Sequence, residues 1–189
     1  MKFDEKKLQE LEDKHGVIYV LEYEDVSCVI RSPLDDMRVM RQAASAFMKS
    51  QLPADFVAAV LNNCFLIGDE KIKTEERYIN GLAEEVEEIA KIPDVEITEL
   101  NESVLLEFEG ISAQFRYATR LDEKKAEKEN RKKQPFKTEE NLLEICCLNT
   151  EEWMKVKQKD YYLVAFCGSG ADALKKTASV YVKQRGKRK

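Results

Sequence analysis

The feature that most limits what this chain can fold into is that it nearly repeats itself. Residues 20–31 read VLEYEDVSCVIR and residues 105–116 read LLEFEGISAQFR, and the two align without a gap. Leu21, Glu22, Glu24, Ser27 and Arg31 meet Leu106, Glu107, Glu109, Ser112 and Arg116, which makes five identities in twelve positions. Tyr23 meets Phe108, Val26 meets Ile111 and Ile30 meets Phe115. Self-similarity at a fixed spacing is the signature of one supersecondary unit used more than once.

The similarity extends downstream. Leu34, Asp35 and Asp36 correspond to Leu121, Asp122 and Glu123. Residues 60–82, VLNNCFLIGDEKIKTEERYINGL, correspond to residues 142–164, LLEICCLNTEEWMKVKQKDYYLV, with Cys64 on Cys146, Leu66 on Leu148, and Asp69-Glu70 on Glu151-Glu152. The organisation this implies is an added N-terminal helix over residues 1–16, a first unit over 17–92, a spacer and second unit over 93–182, and a basic tail over 183–189. The spacer carries Pro93 and turn-forming residues where a boundary belongs.

Each unit reads as α+β: a β-hairpin followed by two or three helices. The hairpin turns fall at Glu24-Asp25 and Glu109-Gly110, between short alternating apolar runs. In the first unit a helix follows near residues 35–50, starting around Ser32-Pro33, with Met37, Met40, Ala44, Phe47 and Met48 at helical spacing. Pro53 opens a second helix over 55–63. A third is expected from Thr74, as N-cap, to Ala90, with Tyr78, Leu82, Val86 and Ile89 inward and Glu84, Glu85, Glu87 and Glu88 in water. The run YYLVAFC at 161–167 looks like a buried strand alone. Its alignment to the helix of the first unit makes it helical, with Gly168 and Gly170 as weak points.

Composition narrows the classes. Of 189 residues, 43% are hydrophobic, enough for a core, and 35% are charged, which suits amphipathic helices more than a buried parallel sheet. The net charge of -5 argues against a general nucleic-acid binder. No apolar stretch approaches membrane-spanning length, and the charged start MKFDEKKLQELEDKHG lacks a signal-peptide apolar region, so a cytosolic protein is expected. Cys28, Cys64, Cys146, Cys147 and Cys167 form no CxxC pair, and most lie in apolar runs, which reads as buried reduced thiols.

Candidate chemistry is sparse. GSGADA at 168–173 matches a dinucleotide fingerprint, but too few residues follow it to complete a βαβ unit. His15 is the only histidine and precedes Gly16 at a helix end; it lacks a nucleophile motif and the partners a zinc site needs. The recurring acidic pair, Asp69-Glu70 and Glu151-Glu152, reads as a solvated turn between helices. The second helix, ADFVAAVLNN, has no cation and is a poor groove reader. Neither a catalytic site, a metal site nor a cofactor is expected. Residues 120–137 mix both charge signs and read as an exposed helix ending near Gln134-Pro135.

The residues favoured for partner contact are Tyr23, Phe47, Met48, Phe56 and Tyr78, aromatic or methionine side chains on short units with limited interior. The hairpin IYVLEYEDVSCVIRSP, the helix after Pro33 and above all LNNCFLIGDEKIKTEERYINGL resemble small proteins encoded among bacteriophage and prophage tail-assembly genes, similar to tail assembly chaperones. The resemblance runs from Pro33 to about Leu82. It implies an assembly or structural protein in the host cytoplasm, or in the virion, that binds other phage proteins or itself. The alternative is a nucleic-acid-associated regulator acting through Lys183, Arg185, Lys187, Arg188 and Lys189.

Overall fold

A computed structural model describes residues 3–175, and the chain divides into two compact units between Ile92 and Pro93. Each unit is α+β and builds a three-stranded antiparallel sheet around a tight hairpin. No helix of the described residues is long and apolar enough to cross a membrane.

The first unit begins with α1 (Glu5–His15). Asp4 caps it and Gly16, at φ 75, ends it. His15 does lie in the last turn, at the negative end of the helix dipole. Strands β1 (Ile18–Tyr23) and β2 (Val26–Arg31) pair from Ile18–Arg31 to Tyr23–Val26 around the predicted two-residue turn, with Glu24 at φ 53. Helix α2 (Met37–Ser50) starts later than Ser32-Pro33 suggests. Pro33 instead shapes the turn before it, because Asp36 is the better cap: its carboxylate accepts the N–H groups of Arg38 and Val39. Helix α3 (Pro53–Cys64) has Pro in its first turn, as expected.

Two elements depart from expectation here. A strand, β3 (Phe65–Gly68), follows α3 directly and pairs with β2, from Cys28–Gly68 to Ile30–Phe65 with a register shift between. Asp69 and Glu70 therefore join a strand to a helix rather than two helices. Next come α4 (Lys71–Thr74), α5 (Glu76–Gly81) and α6 (Ala83–Ile89) in place of one helix from Thr74 to Ala90. Thr74 ends α4 and caps nothing downstream. The interruption at Leu82 follows Gly81, which sits under the Tyr23 ring; a Cβ there would lie 2.3 Å from it. The inward stripe is nonetheless as predicted. Tyr78, Leu82 and Val86 are buried with Leu21, Ile30, Val57, Leu61 and Cys64, while Glu84, Glu85, Glu87 and Glu88 are exposed.

In the second unit the spacer holds a strand that its Pro and turn residues conceal, β4 (Glu96–Glu99). It pairs with β5 (Ser103–Phe108), which pairs in turn with β6 (Ile111–Arg116). Glu109 at φ 48 and Gly110 at φ 77 make the left-handed turn between them. Helix α7 (Arg120–Glu129) starts with a reciprocal box between Thr119 and Asp122. It is followed by α8 (Lys137–Cys146) and α9 (Thr150–Lys157). The ambiguous run at 161–167 is helical through α10 (Asp160–Ala165) and then widens into a π-turn at Phe166–Gly170 and a 3₁₀ turn at Ala171–Leu174. The widening takes in the two weak glycines. Gly170 also lets the turn pack on Leu106, since a Cβ would meet its side chain at 2.8 Å. The dinucleotide-like GSGADA thus forms helical turns behind a helix, not a strand-to-helix loop. The core here is Val104, Leu106, Phe115, Leu142, Leu143, Trp153, Phe166 and Leu174.

Candidate interaction surfaces

Both units place an arginine, an aspartate and a cysteine together at the end of the hairpin. In the first unit Arg31 ends β2 and donates to Asp36 Oδ2 at 2.9 Å and to the Asn63 carbonyl at 3.4 Å. In the second, Arg116 ends β6 and donates to both oxygens of Asp122, at 2.7 and 3.0 Å, and to the Ile145 carbonyl at 3.4 Å. The arginine therefore ties the hairpin both to the start of the next helix and to the end of the one after it. The aspartates are not aligned positions in sequence. One is an N-cap and the other sits in the first turn, so the same latch is reached from different registers.

Electrostatics move the carboxylates and the thiols of these clusters in opposite directions. Burial works to raise the Asp36 pKa, but hydrogen bonds from Arg31 and from the Val39 and Arg38 amides outweigh it and leave it lowered. Arg116 and then Thr119 hold Asp122 well below the ordinary carboxylate range. The neighbouring thiols move the other way. Burial pushes Cys64 up to about 11 despite the charge of Arg31, and Cys146 up to about 11 despite Arg116. Cys28 is pushed up to about 12 by burial. Thiols held protonated at neutral pH are poor nucleophiles and poor metal ligands. Among the described residues no group of three or more His, Cys, Asp or Glu side chains converges on a point.

The residues favoured for partner contact divide into two sets. Tyr78 is 5% exposed and belongs to the core, where it meets Tyr23 edge-on at 6.3 Å and donates to Asp25 at 3.3 Å. Tyr23 and Phe56 are half-buried and pack against that core. Their helical or strand periodicity was a core signal, and the hairpin turn supplied the polar partner that an aromatic hydroxyl needs. Phe47 and Met48 are different, at 40% and 62% exposed. Leu52, which sequence reasoning did not single out, is 57% exposed on the same corner between α2 and α3. Backbone capping holds that corner: Gln51 takes φ 61 and returns its N–H to the Phe47 carbonyl at 2.7 Å, and the Leu52 N–H reaches Ser50 Oγ at 3.2 Å. Three large apolar side chains within six residues are thereby presented on a fixed turn.

Among the described residues the sheets also have open edges. β1 is an edge strand with Val20 exposed, and β4 is an edge strand exposed along its length, Ile97 included. Lys183, Arg185, Lys187, Arg188 and Lys189 lie outside the described residues. Comparison of the chain with family models, with curated proteins and with solved structures finds no match in any of the three.

Proposed function

We propose that this protein acts through protein–protein contacts in bacteriophage tail assembly, as a tail-assembly-chaperone-like protein or a virion component, and that its two units are diverged copies of one hairpin-and-helix unit. The observation that carries the reading is the α2–α3 corner. Phe47, Met48 and Leu52 are exposed there on a capped turn, inside the segment from Pro33 to Leu82 that resembles the tail assembly chaperones. A solvent-facing cluster of one aromatic and two flexible or branched aliphatic side chains suits a partner's apolar surface better than it suits water.

Support for the duplication comes from pairs of contacts at aligned positions or, for Tyr78 and Tyr161, one position out of register. Ile30 pairs with Phe65, and Phe115 pairs with Cys147 in an isolated antiparallel bridge. Tyr23 meets Tyr78, and Phe108 meets Tyr161. Arg31 and Arg116 make the latches described above. The raised thiols weigh against nucleophilic catalysis, so the reading carries no turnover, and it places the protein in the host cytoplasm or the virion.

The test is purification from infected or lysogenic cells, with mass in solution and co-purifying chains measured for the native protein and for Phe47→Asp/Met48→Asp. The native protein is expected in a stable complex with another phage protein or with itself, and the variant is expected to lose it. A strict monomer with no partner, absent from virions and assembly intermediates, overturns the assembly reading. The five cations in residues 183–189 keep the regulator as the second reading; a salt-dependent shift of random DNA, lost on deleting those residues, transfers the weight to it.

A further inference from the structure

Among the described residues, the outer edge of β4 has no strand partner. The Leu100 N–H bonds the Ser103 carbonyl at 2.8 Å, which fixes the phase of the β4–β5 ladder. Thr98 and Glu96 then face β5, while Val95, Ile97 and Glu99 turn their backbone groups outward. Ser169 Oγ accepts the Val95 N–H at 3.0 Å and lies 3.1 Å from the Pro93 carbonyl and 3.0 Å from the Ala165 carbonyl, which share its one proton, closing the start of the edge. Ile97 and Glu99 have no such partner among the described residues. Around them stand the exposed carboxylates of Asp94, Glu96, Glu99, Glu102 and Glu107, none of which forms an ion pair with a described residue. An acidic edge with free donors and acceptors calls for a basic extended segment.

The chain itself carries one in the same unit. The sequence after Lys175, KTASVYVKQRGKRK, has no acid, six cations and a run of strand-favouring residues, Val180, Tyr181 and Val182, followed by Lys183. Its origin is well placed. The Leu174 carbonyl accepts the Ala118 N–H at 3.1 Å just beyond β6, and the neighbouring Tyr117 hydroxyl donates to the Leu100 carbonyl at 3.2 Å at the end of β4. Three strand spacings, about 14 Å, separate β6 from a strand added outside β4, and five extended residues span about 17 Å.

We propose that the outer edge of β4 is the docking site for the chain's own segment around residues 180–185, which adds as a fourth antiparallel strand running from the Glu99 end toward Glu96. Lys183 and Arg185 then face the carboxylates of Glu96 and its neighbours. This holds whether or not the protein works in phage assembly. The docked segment covers the most exposed edge of this sheet, and a partner with a basic strand would compete for it.

The test is residue-resolved amide exchange on the full chain. Ile97 and Glu99 amides are expected to exchange at least tenfold more slowly than in Glu96→Lys/Glu99→Lys. Adding Lys183→Glu/Arg185→Glu to that variant restores the protection, and raising salt in the native chain weakens it. The Thr98 amide, bonded within the sheet, reports whether β4 itself persists; should it lose protection in the charge variant, a chain ending at Lys175 serves as the comparison. Unprotected Ile97 and Glu99 in the native chain overturn the proposal. So does protection indifferent to both charge reversal and truncation, and so does protection lost on dilution, which assigns the edge to a second copy.

Discussion

The two sheets share a hairpin and differ in where the third strand joins it. In the first unit β3 pairs with β2, the second strand of the hairpin. In the second unit β4 pairs with β5, the first strand, and the side that β3 would occupy keeps a single bridge, Phe115 to Cys147. The residues around each difference explain it. Phe65 to Gly68 is a run of apolar residues ending in a glycine that can lie flat on β2. Its counterpart, Cys147-Leu148-Asn149, turns away at once: the Leu148 N–H bonds the Gln114 carbonyl at 2.9 Å, and Asn149 Oδ1 accepts the Gln114 N–H at 2.8 Å. A side-chain amide ends the pairing that a strand continues in the other unit. The Arg–Asp latch is present in both units because it acts at the hairpin end and not on the third strand.

The largest expected effect tests whether the bridge position is a keystone in both sheets. Phe115 is fully buried and stacks edge-on with Trp153 at 5.7 Å. Phe115→Ala should cost about 3–5 kcal/mol, and Ile30→Ala at the matching position about 2–5 kcal/mol. Chemical denaturation of each variant checks this. If one substitution costs under 1 kcal/mol, the two positions are not equivalent.

Next is the glycine that permits β3. Gly68 sits at φ 130, and a Cβ there would lie 2.4 Å from the Ser27 carbonyl oxygen and 2.5 Å from the Cys28 Cα. Gly68→Ala is therefore expected to cost about 2–3 kcal/mol and to raise amide exchange in β3 first. Gly110→Ala meets open space at φ 77 and carries only the left-handed strain, about 1–2 kcal/mol. Equal costs would mean that β3 gives way without resistance.

What the sequence made legible follows from how local each signal is. The hairpins could be read because alternation and a two-residue turn are contained in fourteen residues. The inward stripe of Tyr78, Leu82 and Val86 could be read for the same reason. The third strands could not. FLIG is as compatible with a helix end as with a strand, and EITE lies among turn-formers; each becomes a strand only through pairing with a distant segment. The break at Leu82 was equally hidden, since it depends on Gly81 meeting Tyr23 from across the unit. Among the contact residues, Phe47 and Met48 continue the same periodic pattern as Met40, and nothing in the spacing says that the stripe runs past the end of the core.

The latches give a smaller and pH-dependent difference. Arg31 and Asp36 are both about one-fifth exposed, so Arg31→Met should cost about 2 kcal/mol near neutral pH. Arg116 is 38% exposed, and screening reduces the expected cost of Arg116→Met to about 1 kcal/mol. Both aspartates titrate below their unfolded value in the folded chain, so their contribution is complete above that value and is lost as pH falls through the folded-state range. Thermal melts from pH 7 down to pH 3 should therefore keep the gap between native protein and variants down to about pH 4 and show it beginning to narrow below that. A gap that widens on acidification would reverse the sign and remove the latch from the account.

The smallest effect concerns the turns. Glu109-Gly110 has both central residues left-handed, the geometry for which Asn-Gly is the preferred pair, so Glu109→Asn relieves strain at φ 48. It also removes a 3.3 Å hydrogen bond from the Tyr161 hydroxyl to an exposed carboxylate. The net expectation is a gain of about 0.5 kcal/mol. Glu24 has a comparable φ of 53 but is held by an ion pair with Arg77, so Glu24→Asn gives up more and should be neutral or slightly destabilising. High salt weakens the Arg77 pair and should move Glu24→Asn toward the gain seen at Glu109. If the two variants already match at low salt, Arg77 contributes nothing to the first turn, and the two hairpins are interchangeable there as well.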